Sequence, residues 1–149
     1  MLNRIRLRPI ERHDVPALLD IIRDARSQYG LAERAISRLA PADFAIFDTY
    51  TKRRTIYFVA VLDGAVVGGA GIAPLPGSDP LACELQRMDI GREARGQGVE
   101  TLLLDACLDA ARRFWFVRCH AETIFDMNLP LKLDTRSGLI ELKAPQEAL

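Results

Sequence analysis

Neither sign of charge is in surplus. The 149 residues carry 20 Lys and Arg against 20 Asp and Glu, a formal net charge of zero. A chain whose main task is to coat nucleic acid or an anionic membrane needs a basic excess, so both classes are excluded as the principal function. Long apolar runs are missing too. The longest strongly apolar stretch is Tyr57-Phe-Val-Ala-Val-Leu62, far short of the roughly 18 residues a membrane span requires. The N-terminus alternates charge and aliphatic residues (Asn3-Arg-Ile-Arg-Leu-Arg8) without an apolar leader core, so no secretory signal is expected. Cysteine is sparse: Cys83, Cys107 and Cys119 are odd in number, widely spaced and set among apolar neighbours. That suits buried thiols in a reducing compartment better than a disulfide framework, and a cytoplasmic location is expected. Repeats and low-complexity blocks are absent, which predicts one domain over residues 1–149.

What is present is ordinary globular material, with 49% hydrophobic and 27% charged residues, enough to bury a core without staples. Ile5–Pro9 reads as a short alternating strand. Asp14 before Val15-Pro16 reads as an N-cap with proline in the first turn. Val15, Leu18, Leu19, Ile22 and Ala25 follow at helical spacing until Gly30. A second helix is predicted from Pro41-Ala-Asp43. Thr55–Leu62 and Ala65–Ala73 form a hairpin across Asp63-Gly64, and Leu81–Ile90 is a third strand whose two faces alternate unless a bulge shifts the parity. Val99, Leu102, Leu103, Cys107, Ala110 and Phe114 stripe the clearest helix. A strand over Trp115–Thr123, a helix over Asp126–Arg136 and a strand over Leu139–Leu142 complete the order. The class is mixed α/β (α+β), with helices on both faces of the sheet.

The chemistry concentrates in Glu84-Leu-Gln-Arg-Met-Asp-Ile-Gly-Arg-Glu-Ala-Arg-Gly-Gln-Gly-Val99, a strand running through a glycine-bearing turn into an amphipathic helix. A helix N-terminus presents unpaired N–H groups and partial positive charge, which suits a phosphate. Gly96 and Gly98 allow close approach of an anion, and Arg95 adds a cation. The same glycines also suit a turn that merely needs their backbone angles. No G-x-x-x-x-G-K-[ST] or G-x-G-x-x-G loop is present, and no serine lies in a G-x-S-x-G elbow. His13 and His120 lack metal-ligand spacing to the cysteines, so no metal is expected. Lys52-Arg-Arg54 reads as a solvated helix end, or as part of a site for an acidic substrate.

Arg95-Gly-Gln-Gly98 resembles the acetyl-CoA loop Q/R-x-x-G-x-G/A of the GNAT N-acetyltransferase superfamily. Tyr57-Phe-Val-Ala, Gly64-Ala-Val-Val-Gly-Gly-Ala-Gly-Ile-Ala-Pro74, Cys83-Glu-Leu-Gln-Arg-Met88, Glu122-Thr123 and the Gly138-Leu139 pair extend the resemblance to a small bacterial branch, over roughly residues 4 to 143. It implies an acyl-CoA N-acyltransferase fold, a mostly antiparallel mixed sheet with helices on both faces. It also implies acetyl-CoA as cosubstrate, bound in a V between the Leu81–Ile90 and Trp115–Thr123 strands. The backbone of Met88, Asp89 and Ile90 would pair with the pantetheine arm. The N–H groups from Gly96 through Gln97, Gly98, Val99 and Glu100 to Thr101 would hold the pyrophosphate beside Arg95. Glu84 matches a glutamate that acts as general base, usually through water, on a small amine acceptor chosen by the segment between Gly30 and Thr55. Read from residue types alone, Glu84 is equally a carboxylate paired with Arg87 or Arg118. Edge strands of this fold often pair, so a homodimer is compatible with the resemblance.

Two residues depart from the family. Asp134 stands where a tyrosine would protonate the leaving thiolate, and an aspartate with a reference pKa near 3.9 has no proton to give at neutral pH. Slow transfer with water as the acid, or a degenerate module that binds acyl-CoA or acts through interaction, is the alternative this raises. Glu100 replaces the loop's third small residue. Two unit charges ~4 Å apart at an effective surface dielectric repel by up to ~4 kcal/mol, although an acid in a first helical turn suits the dipole. Glu100→Gly is therefore expected to tighten acetyl-CoA binding in calorimetry and Gly98→Asp to abolish it. An unchanged or weaker affinity in Glu100→Gly removes the repulsion.

Overall fold

The computed structural model describes residues 4–28, 39–77, 79–121 and 139–142. Along these residues the strands are β1 (Ile5–Pro9), β2 (Ile56–Leu62), β3 (Ala65–Pro74), β4 (Ala82–Ile90), β5 (Arg118–His120) and β6 (Leu139–Glu141), and the helices are α1 (Val15–Gln28), α2 (Pro41–Phe44), α3 (Ile46–Thr49) and α4 (Val99–Arg113). The six strands form one sheet in the order β1-β2-β3-β4-β5-β6. Every pairing is antiparallel except β4 with β5, which is parallel. No helix among the described residues is long and apolar enough to cross a membrane.

Alternation along β2 builds two cores. Tyr57 and Val59 join Leu18, Ile22, Ile46 and Tyr50 beneath α1 and α3. On the other face Ala60, Val67, Ile72 and Leu85 pack against Val99, Leu103, Leu104 and Cys107 of α4. The helix stripe is thus seen as expected, widened by Leu104, Leu108 and Ala111. Asp63 (φ 49°) and Gly64 (φ 84°) both take left-handed angles in the β2–β3 turn, the requirement of a two-residue hairpin loop. All three cysteines are buried and free. Burial pushes the Cys107 thiol up, and contact with Cys119 together with burial does the same for Cys83, so these behave as core residues rather than nucleophiles.

Three expectations change. Asp14 does not open α1 as a simple N-cap. It ends a 3₁₀ turn (Arg12–Asp14) and points back, accepting from the Glu11 N–H at 2.7 Å and from both terminal nitrogens of Arg8 at 2.7 and 2.8 Å. The helix expected from Pro41 is broken at Ala45 into α2 and α3. Arg54 is not simply a solvated helix end. Its guanidinium lies 3.9 Å over the Phe116 ring and donates to the Phe114 and Pro80 carbonyls, capping the C-terminus of α4. Lys52 and Arg53 are exposed. The expected strand residues 122–123 and helix 126–136 lie outside the described residues.

Among the described residues the deepest charged group is Asp43, fully buried. It takes both terminal nitrogens of Arg26 from α1 at 2.8 and 2.9 Å, Arg87 from β4 at 2.9 Å and the Ala40 N–H at 2.6 Å. Burial alone would raise its pKa, but these donors outweigh it and hold the carboxyl well below the usual 3.8. Asp14 is lowered likewise, with Arg8 and the Glu11 N–H overcoming burial. A carboxylate with a depressed folded-state pKa contributes stability above its unfolded pKa and loses it as pH falls through the folded value. Denaturant unfolding should therefore show full stability at neutral pH and decline below about pH 4. Asp43→Ala should cost ~3 kcal/mol at pH 7 and flatten that acid slope, because it strands two arginines on one hub. Unchanged stability at pH 7 would contradict the hub.

Candidate active site

The site is built around a break in the β3–β4 ladder. Gly69 pairs with Asp89 and Gly71 with Gln86, so one β3 residue, Ala70, faces both Arg87 and Met88. Arg87 takes φ 53°, a left-handed angle that a non-glycine residue adopts only when its surroundings impose it. This bulge shifts the parity of β4. Cys83 and Leu85 face α4 before it; Met88 and Ile90 do so after it. Glu84, Gln86 and the Arg87 side chain are thereby gathered toward α1, α2 and α3, as their bonds to Tyr50 and Asp43 show.

Three groups hold the bulge. The Tyr57 hydroxyl donates to the Arg87 carbonyl at 3.0 Å. Asp43 accepts from the Arg87 guanidinium. The Tyr50 hydroxyl donates to Gln86 Oε1 at 2.6 Å, and Gln86 Nε2 donates to Glu84 Oε1 at 2.8 Å. The two tyrosine rings stack at a tilt, 5.2 Å between centroids. Both lie across β3 where side chains are missing. A Cβ on Gly69 would clash with the Tyr57 ring, and one on Gly71 would stand 2.8 Å from both rings. Burial raises the Tyr57 hydroxyl well above 10 and pushes Tyr50 up to about 12, so both remain donors at physiological pH.

Glu84 is half-buried. Its described partner is Gln86 rather than either arginine of the ion-pair reading, since Arg87 binds Asp43 and Arg118 binds Asp79 at 2.6 Å. The parallel pairing of β4 with β5 covers Ala82–Arg118, Cys83–Cys119 and Glu84–His120. Beyond Glu84, β4 runs on to Ile90 while β5 ends at His120. Glu84 therefore sits at the last described pair of the two strands, with His120 directly across.

Met88, Asp89 and Ile90 form the end of β4, and a 3₁₀ turn (Arg92–Ala94) leads to the glycine loop. Asp89 is half-buried; burial raises its carboxyl, partly offset by Arg26 and Arg87. Gly96 (φ 75°) and Gly98 (φ 82°) both require left-handed backbone, and a Cβ on Gly96 would meet open space. Gly98 is the N-cap of α4 and offers no side chain to the first turn, so the N–H groups of Val99, Glu100 and Thr101 face the loop. Gln97 is tied to the Glu93 carbonyl at 2.7 Å and Arg95 Nε to the Ile90 carbonyl at 3.1 Å. Arg95 thus braces the turn as well as adding charge. Glu100 lies half-buried in the first turn of α4. The structure places the predicted strand and loop residues on one continuous run of chain that starts at Glu84. Asp134 lies outside the described residues.

Tyr50, Tyr57, Gln86 and Asp43 were not singled out from sequence as site residues. Gly69 and Gly71 carried the available signal, because glycine inside a strand often marks a close neighbour. Gly69→Ala is expected to destabilise the fold by roughly 1–3 kcal/mol through overpacking against Tyr57, measurable by denaturant unfolding. The Tyr57→Phe, Gly69→Ala double variant should lose less than the sum of the two singles. Additive losses would uncouple Gly69 from the Tyr57 hydroxyl.

Residues 16–131 match the acetyltransferase (GNAT) family. The chain is 36% identical over 118 residues to an uncharacterized N-acetyltransferase, YjgM, of Escherichia coli (strain K12), covering 78% of this chain and 71% of that one. Among solved structures, a ribosomal-protein-alanine N-acetyltransferase from Brucella melitensis aligns with TM-score 0.65 and 26% identity over 78% of this chain and 72% of that one. A GNAT superfamily phosphinothricin acetyltransferase from Sinorhizobium meliloti, in complex with AcCoA, aligns with TM-score 0.68 and 24% identity over 79% and 65%.

Proposed function

This chain belongs to the GNAT acetyltransferase family, and from that membership we propose that it moves the acetyl group of acetyl-CoA to a small amine by direct attack. The continuous run from Glu84 along β4, through the glycine loop and into α4, carries the reading. Past the last described pair, Glu84 with His120, β4 runs on to Ile90, and the same strand leads into a helix capped by a bare glycine. The residues present fit the cosubstrate. Met88, Asp89 and Ile90 offer strand backbone to the amides of a pantetheine arm. Gly96 to Thr101 offer N–H groups and open space to a pyrophosphate, with Arg95 nearby. The AcCoA complex of the Sinorhizobium protein supports this assignment for a similar fold, and the Brucella relative's name, with an alanine acceptor, supports an amine.

Glu84 is the base in this reading. It removes a proton from the acceptor ammonium through water, the freed nitrogen attacks the thioester carbonyl, the C–S bond breaks, and the proton shed by the acylated nitrogen passes through water to the CoA thiolate. Positioned proton transfer of this kind contributes about 10²–10⁴-fold.

The test has two readouts. Acetyl-CoA should raise the melting temperature of the wild type in a thermal shift. Glu84→Gln should keep that shift but lose about 10²-fold or more of CoA release with a panel of primary amines at neutral pH. Equal turnover in both proteins removes Glu84 from the mechanism. A wild type that shifts with acetyl-CoA yet acetylates no amine would favour the binding-module reading.

A further inference from the structure

The Tyr50–Gln86–Glu84 chain runs from the C-cap of α3 to the carboxylate at the last described β4–β5 pair, and nothing in the mechanism above uses its first two members. An amide has one donating and one accepting end, and its two neighbours decide which faces which. A carboxylate accepts only. Gln86 must therefore turn Nε2 to Glu84 Oε1 (2.8 Å), which leaves Oε1 for the Tyr50 hydroxyl (2.6 Å). With the amide reversed, Gln86 Oε1 would face the Glu84 carboxylate, lone pair against lone pair. The phenol can donate because it is protonated at neutral pH, and burial raises its pKa further. Its ring has little room to move, being 6% exposed, stacked on Tyr57 and laid over the Cβ-less Gly71.

We propose that Gln86 is a positioning residue that holds the Glu84 carboxylate toward the acceptor amine, and that Tyr50 sets the orientation of the Gln86 amide. The inference rests on Glu84 being the base. One oxygen, Oε1, is occupied by Gln86, which leaves Oε2 as the oxygen that takes the proton through water. Hydrogen bonds to a charged group contribute about 1.5–3 kcal/mol, and a misplaced base costs rate without touching the cosubstrate loop.

A kinetic double-mutant cycle tests this, following CoA release from acetyl-CoA with whichever amine the wild type turns over from a panel of free amino acids, putrescine and an N-terminal alanyl peptide. Gln86→Met, similar in length and without a donor, is expected to lower kcat by about 10–100-fold, with KM for acetyl-CoA within about twofold. Tyr50→Phe should lower kcat by a smaller factor, about 3–10-fold. In the Glu84→Gln background neither substitution should cost anything further, because a residue that acts through Glu84 has nothing left to position. Losses that multiply in the double variants make Gln86 and Tyr50 merely structural and overturn the proposal. A Gln86→Met enzyme as fast as wild type overturns it too, while leaving Glu84 as base if Glu84→Gln is slow. If Glu84→Gln is as fast as wild type, or the wild type turns over no amine, the base reading falls and this one with it. Should Gln86→Met fail to fold, the Tyr50→Phe cycle decides alone by the same criterion.

Discussion

The left-handed residue in the middle of β4 is the constraint from which the site takes its shape. Arg87 at φ 53° inserts one extra residue opposite Ala70 and reverses the facing of everything after it. Such a conformation costs on the order of 1–3 kcal/mol and persists only when its neighbours leave no alternative. Here they grip it at both ends. Tyr57 takes the Arg87 carbonyl and Asp43 takes the guanidinium. Without the bulge, Met88 and Ile90 would turn toward α1 and the charged side chains toward α4, an arrangement with no polar partners on the α4 face, where cysteine, leucine and alanine dominate.

The grip is possible because β3 is thin. Gly69 and Gly71 clear the volume through which two tyrosines reach under the sheet to the next strand. Glycine within a strand ordinarily weakens it, yet here the loss is offset by two buried phenols that each find an acceptor on β4. Every buried side-chain polar atom among the described residues has a partner, so the polar layer between α1 and β4 is fully satisfied, as a buried network must be. Asp43 joins this layer to two helices through Arg26 and the Ala40 N–H. Helices α1 and α2 are thus tied to the strand that carries Glu84.

Much of this was legible from the residues in order. The hairpin at Asp63-Gly64, the stripe of α4 and the strand-loop-helix run from Glu84 to Thr101 depend on local spacing, and all three were placed within a residue or two. The family resemblance rested on the same run and agrees with the match over residues 16–131. Local pattern misled where a side chain's partner was remote in sequence. Asp14 looked like a helix cap because its true partner, Arg8, lies on a strand before the turn. Arg54 looked solvated because the carbonyl it caps, that of Phe114, lies at the far end of α4. Glu84 invited a salt bridge with Arg87 or Arg118, yet each arginine is claimed by an aspartate distant in the chain, Asp43 or Asp79.

Sequence by itself determined what depends on period and on backbone freedom: which segments are strands, which helix is amphipathic, and where glycine leaves a helix N-terminus open. These follow from neighbours a few positions apart, so the order of letters suffices. Tertiary structure alone decided the partners. A hydrogen bond ties residues by distance in space, and Tyr50 with Gln86, or Asp43 with Arg87, stand 36 and 44 positions apart. The bulge belongs to this second kind. Nothing in Gln86-Arg87-Met88 requires a left-handed arginine; a tyrosine from β2 and an aspartate from α2 impose it, and only the folded sheet brings them together.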